Sequence, residues 1–344
     1  MRELSRPRDL GRILAPIAPA LHRVEERLAA QVREFDPELQ EYFRHTVGGQ
    51  GKRLRPALAL LSGQAAGKIT DGHIELGVIV ELIHIATLVH DDVMDGAQVR
   101  RNQPTIPARW GNEQAVLLGD CLFAHALKLA ASFLTTEVCR CVADSANTVC
   151  TGEILQTRRR FDPTLTIEDY LRIIEMKTGT LFAVSCDLGA HLSGATVPQR
   201  SALREYGLAL GGAYQIFDDC VDILGEESRA GKSLGTDLAR GKLTLPILVC
   251  LQQTPEEERS ILMDDLTRGG RGAGEVRQIL DDHQAIEQSL ETLERYLAKA
   301  SGALETVGQT EASATLYQAT EFMREQAYAL AGTESPPVAV AGTR

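Results

Sequence analysis

ELIHIATLVHDDVMD, residues 81–95, joins an apolar run to three aspartates, and the adjacent Arg100 and Arg101 follow it. Apolar residues recur at three- and four-residue steps, which is the period of a helix. At about 100° per residue, His84, Asp91 and Asp95 fall within about 20° of one line. Thr87 and Leu88 flank that line, while His90 and Asp92 turn away. Carboxylates one turn apart on one face repel each other unless a cation lies between them. Hard oxygen ligands with room for water and phosphate suit Mg²⁺. Taken alone, D-D-x-x-D reads equally well as a solvated acidic helix end.

A second cluster decides between these readings. YQIFDDCVDILG, residues 214–225, repeats D-D-x-x-D with Asp218, Asp219 and Asp222, again at the end of an apolar helical run. Gln215, Asp218 and Asp222 share one stripe. Two such helix ends inside one buried bundle would be strongly destabilising without bound metal.

Helical periodicity extends over 9–34, 54–67, 72–95, 112–134, 137–159, 167–190, 197–225, 244–252 and 275–331, and strand-like alternation is almost absent. Thr166 to Asp169 resembles a capping box. Breaks fall at 48–51, at 231–241 and at RGGRGAG (268–274), the last read as a flexible loop. The expectation is all-α: one large helical bundle over residues 1–331, with 332–344 a disordered tail.

A hydrophobic fraction of 44% with 24% charged residues is that of a soluble globular chain. The net charge of −11 argues against nucleic-acid binding. Seven cysteines in apolar helical patterns read as reduced core thiols, and a cytoplasmic location follows. No signal peptide is evident, and no stretch reaches the roughly 18 uncharged apolar residues of a membrane span.

Cations accompany the acidic motifs. GGQGKRLRPAL (48–58) places Lys52 and Arg55 after a glycine turn; Arg100 and Arg101 follow the first motif. GKSLGTDLARGK (231–242) follows the second with Lys232 and Lys242, and Lys177 and Thr178 lie mid-helix in MKTGTLF. Such clusters recognise phosphate oxygens. GEESRAGKS (225–233) imitates a P-loop, but its glycine spacing is one residue too long and no strand precedes it.

GGQGKRLRP, HIATLVHDDVMDGAQVRRNQPT, GEILQ, KTGTLF, YQIFDDCVDILG and GKSLGTDLARGKLTLPIL, in this order, resemble the motifs of trans-isoprenyl diphosphate synthases over residues 40–330. The resemblance implies the isoprenoid synthase fold, all-α around a central cavity, in a homodimer. It implies Mg²⁺ as cofactor, three ions with substrate bound, held by Asp91, Asp95 and Asp218, with Asp92, Asp219 and Asp222 alongside. Arg100, Lys177, Gln215, Lys232 and Lys242 would meet the allylic diphosphate or its metals; Lys52, Arg55, His84 and Arg101 would bind isopentenyl diphosphate. Glu153 and Gln156 resemble residues lining the cavity mouth. Gln50, Gly96 and Cys220 are minor departures from the family pattern.

The implied chemistry is ionisation of the allylic C–O bond, attack by the double bond of isopentenyl diphosphate, and proton loss to the released diphosphate. Thr178 and Gln215 would soften the cation. Product length would be set below the first motif, where Ala86 and Thr87 are small and Ile83 and Val80 come next. Phe123, Leu127 and Phe133 are floor candidates. The expected product is an all-trans polyprenyl diphosphate longer than C15, with geranylgeranyl diphosphate as the alternative. Peripheral membrane contact for product release is a further expectation. A class I terpene cyclase would carry Asn, Ser and Glu at the second site, and a regulatory subunit would have eroded aspartates; neither pattern is present.

Overall fold

The structure, a computed structural model, describes residues 9–49, 51–225, 235–268 and 273–332. The P-loop-like stretch, Lys232, most of the RGGRGAG loop and the expected tail lie outside the described residues.

The helices are α1 (Leu10–Ile13), α2 (Ala18–Gln31), α3 (Gln40–Val47), α4 (Leu54–Ala66), α5 (Asp71–Met94), α6 (Ile106–Trp110) and α7 (Asn112–Ala131). Then come α8 (Thr136–Arg158), α9 (Ile167–Ile174), α10 (Thr180–Leu192), α11 (Val197–Leu224), α12 (Thr236–Ala239) and α13 (Leu245–Gln253). Finally come α14 (Glu256–Arg268), α15 (Ala273–Asp282), α16 (Ala285–Ala303) and α17 (Glu311–Ala331). One hydrophobic cluster runs through nearly all of them.

The 24-residue α5 is the axis of this cluster. Leu76, Ile79, Leu82 and Ile83 are among its fully buried residues, and α4, α7 and α10 pack around it. A helix apolar on every side can be stable only when covered on every side. The α5 and α7 helices are long and apolar enough to cross a bilayer by length and composition, with mean hydropathies of 1.6 and 1.3. For α5, burial within the bundle accounts for that composition.

Several expectations need correction. The 275–331 run is three helices, interrupted at Gln284, which adopts left-handed backbone, and at Gly308. The 9–34 run breaks where Pro16 opens a short 3₁₀ turn. Four helices, α3, α6, α12 and α14, went unread because none has a long apolar stripe. Cys121 and Cys150 are exposed rather than core thiols, although all seven cysteines are free. Thr166 does cap α9, accepting from the Asp169 N–H at 3.0 Å. The reciprocal half is missing, since the Asp169 carboxylate accepts from Arg159 instead.

Strand occurs among the described residues only as a small hairpin, β1 (Val99–Arg100) with β2 (Gln103–Pro104). Its two turn residues, Arg101 and Asn102, both have positive φ, 52° and 61°, as a type I′ turn requires. This hairpin aims the arginines that follow the first motif.

Close helix contact sets α10 against α4. A Cβ on Gly189 would meet the Ala59 carbonyl oxygen at 2.2 Å, and the Gly189 carbonyl accepts a hydrogen bond from the buried His73 at 3.0 Å. Gly189→Ala should therefore destabilise the fold by about 2–3 kcal/mol, as overpacked cores are. Chemical denaturation should show a lower midpoint at unchanged slope.

Candidate active site

The last turn of α5 delivers the first aspartate motif. Asp92 is buried and accepts a 2.8 Å hydrogen bond from Arg100 Nε, which the hairpin supplies. Asp91 and Asp95, half-buried, lie on the adjoining face as the sequence predicts. Lys242 Nζ donates to Asp95 Oδ2 at 2.7 Å, Arg160 Nη2 donates to Oδ1 at 3.2 Å, and Arg240 Nη1 stands 3.8 Å from Oδ2. Burial pushes the Asp95 carboxyl up, but Lys242, Arg240 and Lys177 outweigh it and hold the group below its ordinary value. At Asp91 burial wins, with repulsion from Glu153 and Asp95. Its carboxyl is held up despite Lys177 at 3.9 Å.

The last turns of α11 carry the second motif. Asp219 and Asp222 are buried and Asp218 is half-buried. Tyr170 donates its phenol proton to Asp219 Oδ2 at 2.6 Å, and Gln215 Nε2 donates to Oδ1 at 2.8 Å. Burial, with Asp237 and Asp218 nearby, pushes the Asp219 carboxyl up to about 7 even though both donors favour its charge. A carboxylate so confined orients its neighbours.

Two bridges join the motifs. Lys177 and Thr178 stand on a π turn, Glu175–Gly179, between α9 and α10; such turns recur at functional sites. Lys177 faces Asp91, donates to Gln156 at 3.0 Å and pairs with Glu153, and these anions hold its ammonium above its ordinary value against burial. Thr178 Oγ1 donates to Gln215 Oε1 at 2.7 Å. The chain Asp91–Lys177–Thr178–Gln215–Asp219 is therefore continuous. The second bridge runs from Asp95 through Lys242 to Asp237, 3.7 Å away, whose N–H donates to Asp222 Oδ2 at 3.3 Å.

Among the described residues no three acidic, histidine or cysteine side chains gather closely enough to hold an ion unaided. The protein offers hard carboxylate oxygens from two helix ends. Phosphate oxygens and water would complete the coordination, and that donor set fits Mg²⁺.

A separate cationic corner lies behind the glycine turn. Arg53, in left-handed backbone with φ 47°, is buried; it donates to Glu81 at 2.6 Å and to the carbonyls of Val47 and Gly49. That arginine gathers the turn and presents Arg55, whose guanidinium lies 4.7 Å above the Phe182 ring with its buried Nε unpartnered. A Cβ on Gly51 would sit 2.9 Å from Arg101 Nη1, so the second hairpin arginine closes the corner. Burial and then Arg55, Arg101, Arg100 and Arg53 drive His84 well below its ordinary value, so it is neutral at physiological pH. Lys52 is exposed at the rim.

Below the first motif, Ala86, Ile83 and Val80 are buried and Thr87 is half-buried, its hydroxyl donating to the His84 carbonyl at 2.7 Å. Leu127 is half-buried on α7. Phe123 stacks at 5.9 Å on His90, level with the motif, whereas Phe133 lies beside Gly72 at the far end of α5. At 1.5 Å per residue, the distance from Gly72 to Asp91 along α5 is about 28 Å.

Sequence reasoning missed Tyr170, Arg160, Arg53 and Glu81. Only Glu81 left a signal, a carboxylate inside an apolar run three residues before His84. The others are recruited by folding.

Residues 36–283 match the family model described as polyprenyl synthetase. The chain is 32% identical over 295 residues to the octaprenyl diphosphate synthase of Haemophilus influenzae, covering 85% of this chain and 90% of that protein. It is 39% identical over 249 residues to the nonaprenyl diphosphate synthase of Mycobacterium tuberculosis, covering 72% and 74%. Its structure is similar to that of a polyprenyl synthase from Caulobacter crescentus complexed with calcium and isoprenyl diphosphate. The TM-score is 0.85 at 31% identity, over 92% of this chain and 98% of that one.

Glu81→Ala would leave the Arg53 guanidinium buried without its carboxylate, a change that costs about 3–5 kcal/mol. Denaturant titration should show that loss, and Arg53→Met in the same chain should recover part of it.

Proposed function

The chain belongs to the polyprenyl synthetase family, and we propose from that premise that it joins isopentenyl diphosphate head to tail with an allylic diphosphate. The product is an all-trans polyprenyl diphosphate longer than C15. The observation that carries this reading is the pair of bridged acidic helix ends beside a separate cationic corner. The first suits a diphosphate that must leave with its metals, the second a diphosphate that must stay.

Mg²⁺ held by Asp91, Asp95 and Asp218 would supply the positive charge that stabilises the departing group. Arg100, Lys177 and Lys242 neutralise what remains, and Lys232 has the same assigned role. Thr178 spends its O–H on Gln215, which leaves its oxygen lone pairs available to soften a forming allylic cation. As the allylic C–O bond breaks, the π electrons of isopentenyl diphosphate form the new C–C bond. A proton then passes to the released diphosphate. Neutral His84 can donate a hydrogen bond beside Arg55, Arg101 and Lys52 without adding to their mutual repulsion. Buried Ile83, Ala86 and Val80 exclude water that would quench the cation. Glu153 and Gln156 hold Lys177 at the mouth.

Small side chains at Ala86 and Thr87 leave the growing chain room to pass toward Ile83, Leu127 and Phe133, with Phe123 at the upper wall. We read residues 1–331 as one catalytic domain, working in the cytoplasm. The outer flank of α7 exposes Leu117 and Val116 and suits a second copy of the chain, giving a homodimer. Peripheral membrane contact would receive the product. The net charge of −11 leaves nucleic acid without a binding face.

Purified protein incubated with Mg²⁺, labelled isopentenyl diphosphate and a series of allylic primers should incorporate label, and product mass gives the chain length. No incorporation with any primer would overturn the reading. Asp91→Ala and Asp218→Ala should each lower kcat at least about 100-fold, the scale of losing one electrostatic stabiliser. Ala86→Phe should shift the product distribution to shorter chains at similar total incorporation; unchanged lengths would remove Ala86 from the length-setting wall.

A further inference from the structure

Arg160 lies in the turn after α8, where TRRRFDP (157–163) carries three successive arginines. They have different fates. Arg159 is clamped by Asp162 and Asp169, at 2.6 and 2.9 Å, and so braces the turn. Arg160 points the other way and reaches Asp95 across 65 residues of sequence. Phe161 then adopts left-handed backbone, φ 57°, an unusual conformation for an aromatic residue. Something must hold it there. Its N–H donates to the Gly241 carbonyl at 2.9 Å, and its ring covers Gly241 so closely that a Cβ there would lie 2.4 Å from it. The next residue is Lys242. The turn after α8 and the segment before α13 are thus fastened together, and the fastening delivers Arg160 to one oxygen of Asp95 and Lys242 to the other.

Two features show that Arg160 is more than a counterion for Asp95. Lys242 already donates to that carboxylate at 2.7 Å, with Arg240 at 3.8 Å, so a third cation exceeds what one negative charge requires. Moreover, Arg160 Nε is buried and has no hydrogen-bond partner, a costly arrangement for a guanidinium unless an acceptor visits the site. A planar fork with an unused N–H suits a polyanion with several oxygens.

We infer that Arg160 is a further diphosphate-binding residue of the site at the first aspartate motif, gripping the same anion as Lys177 and Lys242. This rests on the function proposed above. Were Asp95 to hold a metal ion, Arg160 would lose one acceptor and its N–H groups would be available to diphosphate oxygens at the same site. Arg160 is placed to recognise the leaving group, and the corner at Arg55, His84 and Arg101 lies elsewhere.

The test uses full-length protein, Arg160→Gln and Arg160→Lys. Binding of inorganic diphosphate in the presence of Mg²⁺ is measured by calorimetry, and KM is measured separately for the allylic primer and for isopentenyl diphosphate. Arg160→Gln should weaken diphosphate binding and raise the allylic KM at least tenfold, with the isopentenyl diphosphate KM within twofold of wild type. Arg160→Lys should recover part of both losses. Unchanged diphosphate binding in Arg160→Gln would overturn the inference, and so would a fall in kcat alone, which would mark a residue that only positions Asp95. If wild-type protein incorporates no isopentenyl diphosphate, the proposed function fails, while the diphosphate titration still decides Arg160.

Discussion

Three carboxylates at the end of a helix whose body is buried on every side cannot shed their charge into water as they would on a surface helix. Repulsion between them grows as the surroundings become less polar, and burial alone cannot relieve it. At Asp91 and Asp219 the result is a carboxyl pushed up, and at Asp95 it is a carboxyl drawn down by cations brought to it. Much of the chain's layout answers this constraint. The hairpin returns Arg100 to Asp92, the π turn offers Lys177 to Asp91, and the loop before α13 bends Lys242 onto Asp95.

The anions and cations of the site are built on different kinds of backbone. Every aspartate of the two motifs comes from the end of a long helix, where spacing alone fixes direction. Arg55 on α4 and Arg100 on β1 apart, the cations come from irregular backbone. Arg53 and Arg101 have positive φ, Lys177 sits in a π turn, Arg160 precedes a left-handed Phe161, and Lys242 follows Gly241 at φ 72°. Conformations of this kind persist only where the surroundings hold them. Here hydrogen bonds do so, from Arg53 to the Val47 and Gly49 carbonyls and from Phe161 to Gly241.

That division explains what could be read from the sequence. Helical period placed α5 and α11 and put Asp91 and Asp95 on one face, because a helix turns residue number into angle. The basic residues were found by their neighbourhood to glycines and aspartates, and the structure brings Lys177, Arg100 and Lys242 to the motifs. Tyr170 gave no warning: its meeting with Asp219 depends on how α9 packs against α11. Nothing in the sequence sets Arg53 apart from Lys52 beside it, and only left-handed backbone turns it inward to Glu81. The breaks at Gln284 and Gly308 did leave a signal, since no apolar residue stands three or four places after Leu280 or Val307.

The two-residue turn of the hairpin has one more consequence. Arg100 and Arg101 are consecutive, yet one serves the acidic helix end and the other the glycine turn, so a stiff I′ bend fixes the gap between the two places proposed for diphosphate head groups. A gauge made of one peptide unit does not stretch as a hydrocarbon lengthens. On the proposed function, each round of elongation would meet the same spacing at its charged end, and any counting of units would be left to the greasy end.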